Sequence, residues 1–167
     1  MEIRTIGPFL DYWSSVRGRT RKVIADIPPD KIDWSHSPTA FTLGDLGRHL
    51  ATIERYMYAE TVAGRPSSYP GCERSLAPGK DDVIAFMDRL DAESIAIFAT
   101  LTDEDIQKKC VTPAGVSITL WKWLRAMVEH EAHHRGQIFM MLAMLGVKSR
   151  PLYGLTEEEV RARSISK

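Results

Sequence analysis

The chain has 167 residues, of which 44% are hydrophobic and 26% are charged. This length is enough for one domain with a sizeable core, and we expect a single domain over residues 1–167. Its 22 basic side chains balance 22 acidic ones, and this neutrality argues against nucleic acid, because a nucleic-acid binder usually shows a basic face. No apolar run approaches the ~20 residues that span a bilayer. We therefore expect no nucleic-acid partner and no membrane segment.

The two cysteines and the N-terminus indicate the compartment. Cys72 and Cys110 are far apart in sequence, so they do not form a disulfide framework of the kind found in secreted domains. Glu2 and Arg4 interrupt the first apolar stretch, and we do not expect a signal peptide there. A cytoplasmic location is the expectation from both observations.

The first predicted helix runs from about Ile6 to Ile27, where two prolines end it because proline lacks a backbone donor. Four basic residues on this helix are interpreted as a solvated face: Arg17, Arg19, Arg21 and Lys22. A loop follows, and Thr42 then resembles a helix N-cap with Asp45 three residues later, as in a capping box. This second helix is predicted to run to about Ala63.

The second half of the chain predicts two more long helices. After a loop rich in proline and glycine at residues 64–79, the third helix begins near Lys80 and ends near Leu101. In the polar segment that follows, Val111 and Val116 could form short extended pieces.

The fourth helix is predicted from Ser117 to Leu145, with Gly146 as its stop signal. A short last helix capped by Thr156 could follow. Few strand signals and four long helices predict an all-α four-helix bundle with long inter-helix loops. Because two of these loops are long, the helices need not alternate up and down.

Two histidines interrupt the apolar stripe of the fourth helix, which otherwise faces the core. His130 and His134 are four residues apart, so they lie on one helical face with Cβ atoms about 6 Å apart. A buried imidazole needs a partner for each ring nitrogen, and a metal ion satisfies two such rings at once. His49 lies on the apolar side of the second helix, between Leu46 and Ile53. If the two helices are neighbours, three histidines meet at one point, as in catalytic zinc sites with an open position.

The other two histidines carry weaker signals. His36 lies in a loop and is interpreted as structural, whereas His133 is offset from the stripe by about a third of a turn. His133 could be exposed, could support a ligand, or could replace His130 as one.

Two other metal architectures fit parts of the fourth helix. The string from His130 to His134 matches the His-Glu-x-x-His pattern of zinc peptidases, in which Glu131 would be the general base. Such peptidases hold the substrate on a sheet edge, and the sequence predicts no convincing strand. A di-iron carboxylate bundle needs a second Glu-x-x-His and two further glutamates, and the chain has no second copy.

The histidines and their neighbours resemble the DinB/YfiT-like family of metalloenzymes. The resemblance covers about Ile6 to Val147, and it rests mainly on the fourth-helix string His-x-x-x-His followed by Arg-Gly-Gln-Ile. It implies a four-helix bundle that binds zinc, nickel or a similar divalent ion through His49, His130 and His134. Iron and manganese are further candidates for this one ion.

The resemblance also implies a range of activities and partners. Some relatives are thiol S-transferases that use small thiols such as bacillithiol or mycothiol, one branch isomerises maleylpyruvate, and many members are dimers. The chain is therefore interpreted as a metal-dependent transferase or hydrolase acting on a small molecule, for which a low-molecular-weight thiol is a candidate. The alternative is a metal-stabilised helical protein with a binding or stress-response role and no catalysis.

Several side chains near the predicted ligands have open roles. Four residues could line a cavity beside the metal or orient the imidazoles: Glu54, Tyr56, Glu131 and Gln137. The apolar surface of the fourth helix is wider than one face needs, and its methionines at 127, 140, 141 and 144 are adaptable. A homodimer through helices is expected on this ground and from the family resemblance.

Overall fold

A computed structural model describes residues 2–165 and shows a four-helix bundle, which confirms the predicted fold class. The helices are α1 (Ile6–Ala25), α2 (Leu43–Ile53), α3 (Ala59–Val62), α4 (Lys80–Phe98), α5 (Leu120–Met144) and α6 (Glu157–Ile165). The last of these is the short C-terminal helix that the sequence predicted. Within the described residues, no helix combines the length and the apolar character needed to cross a membrane.

The start of α2 is fixed by the predicted capping box. The Asp45 backbone N–H donates to Thr42 Oγ1 at 3.0 Å, and the Thr42 N–H donates to Asp45 Oδ2 at 2.9 Å. These two bonds satisfy donors that the first helical turn would otherwise leave without partners. They also fix the residue at which α2 begins, and the direction of the His49 side chain follows from its position along the helix.

Helical structure continues from Leu43 to Val62, close to the predicted end near Ala63, but it contains a turn that the sequence did not predict. A π-helical turn at Glu54–Tyr58 joins α2 to α3, and the Ala59 N–H donates to the Glu54 carbonyl oxygen five residues back. Such a turn holds one residue more than an α-helical turn. The side chains of both Glu54 and Tyr58 face the interior, with only 1% and 5% of their surface exposed, because residues four apart lie on one face of a helix.

The fourth helix begins slightly later than the predicted start near Ser117. Ser117–Thr119 forms a strand, β2, which pairs in antiparallel fashion with β1 at Lys109–Val111, so that Cys110 lies opposite Ile118. Helix α5 therefore begins at Leu120. Val111 is extended as predicted, whereas Val116 lies just before β2 in the tight connection of this small hairpin.

The bundle contains two separate hydrophobic clusters, one toward each end. The first cluster takes its members from the end of α1 and the starts of α2 and α4, whereas the second takes them from the start of α1 and the end of α4. The start of α5 lies in the second cluster and its end in the first. The four long helices therefore run up, down, down and up. The long connection at residues 63–79 makes this possible, because it returns the chain along the bundle.

A layer of buried polar side chains lies between the two clusters, and we call it the ion-pair layer. Its members are Trp13, Arg17, Thr20, Glu54, Asp91, Glu131 and Arg135. Arg17 is at its centre: its guanidinium pairs with Glu54 and donates to both oxygens of Glu131 at 3.2 Å. The interpretation of Arg17 as part of a solvated face was wrong, because only 5% of its surface is exposed.

Candidate metal centre

The three predicted histidines converge on one point between α2 and α5. His130 Nε2 lies 3.2 Å from His49 Nε2 and 3.2 Å from His134 Nε2. One ring nitrogen of each histidine lies within 4.8 Å of the other two, and such a group could hold a metal ion. The capping box that orients α2 and the four-residue spacing on α5 together bring these nitrogens to one place.

The spacing of the nitrogens fits a tetrahedral metal ion. Zinc–nitrogen bonds of about 2.0–2.1 Å in tetrahedral geometry place two ligand nitrogens roughly 3.3–3.4 Å apart. The two measured Nε2–Nε2 distances of 3.2 Å are close to this separation. A divalent cation smaller than zinc would fit with equally small side-chain adjustments.

Proton positions on the rings also favour a cation at this point. His134 Nδ1 lies 2.7 Å from Gln137 Oε1, and an amide oxygen only accepts, so Nδ1 carries the proton. His134 Nε2 is then unprotonated in the neutral ring and has a free lone pair. His130 Nε2 carries either a proton or an in-plane lone pair, so it makes at most one well-directed hydrogen bond with its two histidine neighbours. A cation between the nitrogens would instead accept a lone pair from each of the three rings.

The rings are held in the neutral form that metal ligation needs. Burial lowers the pKa of His49 to about 4, helped by the positive charge that His134 would carry. Burial likewise lowers the pKa of His130 to about 4, with smaller effects from the other histidines. The pKa of His134 is also lowered by burial, against the opposing effect of its bond to Gln137. At neutral pH each of the three rings is therefore neutral, with one of its two nitrogens unprotonated.

The cluster lies at the edge of the core and not at its centre. All three histidines are half-buried, and the fully buried polar residues at the same level of α5 are Glu131 and Arg135. The expectation that the histidines occupy the core-facing stripe was wrong by a fraction of a turn. This half-buried position leaves one side of the cluster accessible.

Glu131 cannot act as the general base of a peptidase in this arrangement. Its carboxylate is 2% exposed and is held by Arg17 in the ion-pair layer. Burial raises the pKa of Glu131, and Arg17 lowers it in part. The described strands are the two three-residue strands of the hairpin, which offer no extended edge for a peptide. The His-Glu-x-x-His match is thus explained by packing.

Of the four side chains with open roles, Gln137 touches a candidate ligand. Its Oε1 accepts from His134, and its Nε2 donates to His133 Nε2 at 3.2 Å, so His133 lies outside the cluster as an exposed neighbour. Glu54 belongs to the ion-pair layer. Tyr56 packs against the first hydrophobic cluster.

Two aromatic residues that contact His49 were missed by the sequence reasoning. The Tyr69 hydroxyl lies 2.8 Å from His49 Nδ1, and the Phe41 ring stacks on the imidazole with centroids 5.5 Å apart. Both come from loops, whose path across the bundle has no signal in helical periodicity. Tyr58, the last residue of the π-helical turn, also lies near the cluster: its ring centroid is 6.0 Å from that of His130.

Comparisons with known proteins find relatives over most of the chain. A family profile described as the DinB superfamily matches residues 12–138. An uncharacterized protein of Bacillus subtilis, YjoA, is 22% identical over 147 residues, which cover 86% of this chain and 93% of YjoA.

Three solved structures share the fold. A DinB-like protein of Bacillus cereus superposes with a TM-score of 0.75 at 18% identity, covering 89% of this chain and 97% of its own. The crystal structure of Bacillus subtilis YjoA superposes with a TM-score of 0.72 at 21% identity, covering 89% of this chain and 98% of YjoA. A four-helix bundle protein, TT2238, superposes with a TM-score of 0.62 at 21% identity, covering 81% of this chain and 99% of TT2238.

Proposed function

Because this chain belongs to the DinB superfamily, we propose that it is an enzyme that depends on one divalent metal ion. The observation that carries the proposal is the convergence of ring nitrogens from His49, His130 and His134. Among the described residues, this group contains no fourth His, Cys, Asp or Glu. Three protein ligands with an open position are typical of catalytic zinc sites, whereas structural sites are closed by a fourth ligand.

Zinc and nickel are the ions that we propose first, because neutral imidazoles suit both. Iron and manganese are the further candidates. When bound, an ion of this kind supplies a Lewis acid that lowers the pKa of a water molecule or thiol at the open position.

We propose thiol transfer to a small molecule as the reaction, ahead of hydrolysis. Hydrolysis is helped by a positioned general base, and the nearest candidate in sequence, Glu131, is held in the core by Arg17. In thiol transfer the sulfur of a low-molecular-weight thiol forms a bond to an electrophilic carbon. The bond from that carbon to its leaving group breaks, and the thiol proton goes to water.

Within such a reaction the chain's own groups have separate tasks. Gln137 and Tyr69 hold the rings of His134 and His49 in one orientation. Phe41 and Tyr58 cover two sides of the cluster with aromatic surface, which limits the access of water. The remaining side faces the surface and is the entrance for substrate.

The ligand assignment is tested by metal analysis of purified variants. We expect His49→Ala, His130→Ala and His134→Ala each to reduce bound metal from about one ion per chain to a small fraction. His133→Ala is the matched control, because its ring is exposed and lies outside the cluster. Full metal occupancy in the His134→Ala protein would show that the assignment is wrong.

Catalysis and a purely structural metal predict different behaviour of the loaded protein. If the site is catalytic, added azide or a small thiol should bind at the open position and change the absorption spectrum of the cobalt-substituted protein. A metal-stabilised protein without catalysis should keep the same spectrum at all concentrations of added thiol. That second result would favour the binding or stress-response alternative.

A further inference from the structure

A cavity of about 390 Å³ lies directly beside the histidine cluster. It is bounded on one side by the loop before α2 and on the other by the last turns of α5. Its lining includes Phe41, Leu46, Gln137, Met140, Met141 and Met144, and the loop before α2 adds His36, Thr39 and Ala40. We call this space the methionine cavity.

The methionine cavity shares two walls with the candidate metal centre. The Phe41 ring that lines the cavity stacks on His49, at an interplanar angle of 27°. The Gln137 side chain that lines the cavity accepts a hydrogen bond from His134 Nδ1 through its amide oxygen. A molecule that reaches the three histidines from this side therefore contacts the cavity as well.

The lining of the cavity is apolar and adaptable. Met141 and Leu46 form a buried floor, whereas Met140 is 67% exposed and Met144 is 60% exposed. Large apolar side chains that share one exposed patch mark interaction sites more often than scattered ones do. Methionine side chains are flexible and polarizable, so they fit apolar groups of different shapes.

The size and charge of the cavity indicate its occupant. Small-molecule sites typically enclose about 300–1,000 Å³ and are lined mainly by apolar side chains, and the methionine cavity lies within this range. Among the described residues, its lining includes no Asp, Glu, Lys or Arg side chain. Polar groups are confined to Gln137 and to His36 and Thr39 in the loop before α2, so most of the lining favours an apolar group over a charged one.

We propose that the methionine cavity binds the apolar part of the substrate, an aliphatic or aromatic group on a small molecule whose thiol lies at the three-histidine cluster. This inference rests on the proposed function, because the cluster fixes the position of the thiol. It adds a substrate class: small thiols with an apolar group are bound more tightly than polar thiols of the same size.

The test uses the full-length zinc-loaded protein and three probes, ethanethiol, butanethiol and hexanethiol, with affinity measured by isothermal titration calorimetry. We expect affinity to rise about fourfold for each added methylene until the cavity is full. In the double variant Met140→Gln and Met144→Gln the rise should fall below about twofold per methylene. Both residues are exposed, so this variant is expected to fold.

A matched control places the same change elsewhere. Val116→Gln makes an exposed apolar residue of the hairpin polar without touching the cavity, and it should keep the wild-type dependence on chain length. Zinc content measured in every sample separates loss of the metal from loss of the cavity.

Three outcomes would overturn the inference, and they have different meanings. If zinc and all three thiols bind but affinity is independent of chain length, the cavity proposal is wrong and the proposed function stands. If no zinc or no thiol binds, the proposed function is wrong and the inference fails with it. If the double variant only converts a dimer to a monomer and leaves the chain-length dependence unchanged, the cavity belongs to an interface between copies.

Discussion

The histidine cluster and the ion-pair layer occupy the same stretch of α5, yet their polar groups are satisfied in different ways. In the ion-pair layer, Arg17 meets the carboxylates of Glu54 and Glu131 with almost no exposure to water. In the cluster, three neutral rings face one another, half-buried, and no lysine or arginine among residues 2–165 pairs with them. Polar groups that satisfy one another stabilise a fold, whereas polar groups left open at an accessible edge can bind a ligand.

Breaking the ion-pair layer should have the largest effect on stability. Arg17→Ala leaves the buried carboxylates of Glu54 and Glu131 without the guanidinium that pairs with both, and we expect it to lower the free energy of unfolding by about 3–5 kcal/mol. Arg21→Ala, on the same helix, removes an exposed pair with Asp88 and should cost less than about 1 kcal/mol. Urea denaturation at pH 7 measures both, and equal effects would show that the two pairs are equivalent.

Removing a support of the cluster should weaken metal binding without unfolding the protein. Gln137→Ala frees the ring of His134, and we expect metal affinity to fall about 10- to 100-fold, as for other hydrogen-bond partners of ligating histidines. Gln107→Ala is the control, because that exposed amide bonds to Ile3 near the N-terminus. Competition with a metal-binding dye gives the affinities, and an unchanged value for Gln137→Ala would remove this residue from the site.

The lowered pKa values predict a pH dependence of the metal-free protein. The unfolded chain takes up protons on these histidines near pH 6.5, whereas folded His49 and His130 do so only near pH 4. The free energy of unfolding should therefore fall as pH is lowered from about 7 to 4, because the unfolded state binds more protons. After allowance for partial exposure we expect a loss of about 1–2 kcal/mol.

Chelator-treated protein, unfolded in urea at a series of pH values, measures this loss. In the double variant His49→Ala and His130→Ala the part of the loss that these two rings cause should disappear. The same slope in both proteins would place the titrating groups elsewhere in the chain.

Local sequence signals were sufficient for the helices and for the histidine geometry. Thr42 and Asp45 marked the start of α2, and the four-residue spacing of His130 and His134 placed both rings on one face. These features depend on residues close together in the chain. The metal-ligand roles of the three histidines and the homodimer expected from the methionines of α5 stay predictions.

The features that sequence reasoning missed depend on contacts between distant residues. Arg17 was assigned to the surface because its partner Glu131 lies 114 positions away. Glu131 in turn was considered as a catalytic base, since nothing near it in sequence indicated an ion pair. Tyr69 and Phe41 reach His49 from loops, whose course is decided by the packing of the whole bundle.

The π-helical turn at Glu54–Tyr58 gives the chain a spacer of a single residue. Each residue of an α-helix advances the side-chain direction by about 100°, so deleting one residue from this turn would rotate everything after it relative to His49. The loop that follows would then deliver Tyr69 to a different side of the bundle. The contact between His49 on α2 and Tyr69 in the loop thus depends on the one extra residue that this turn contains.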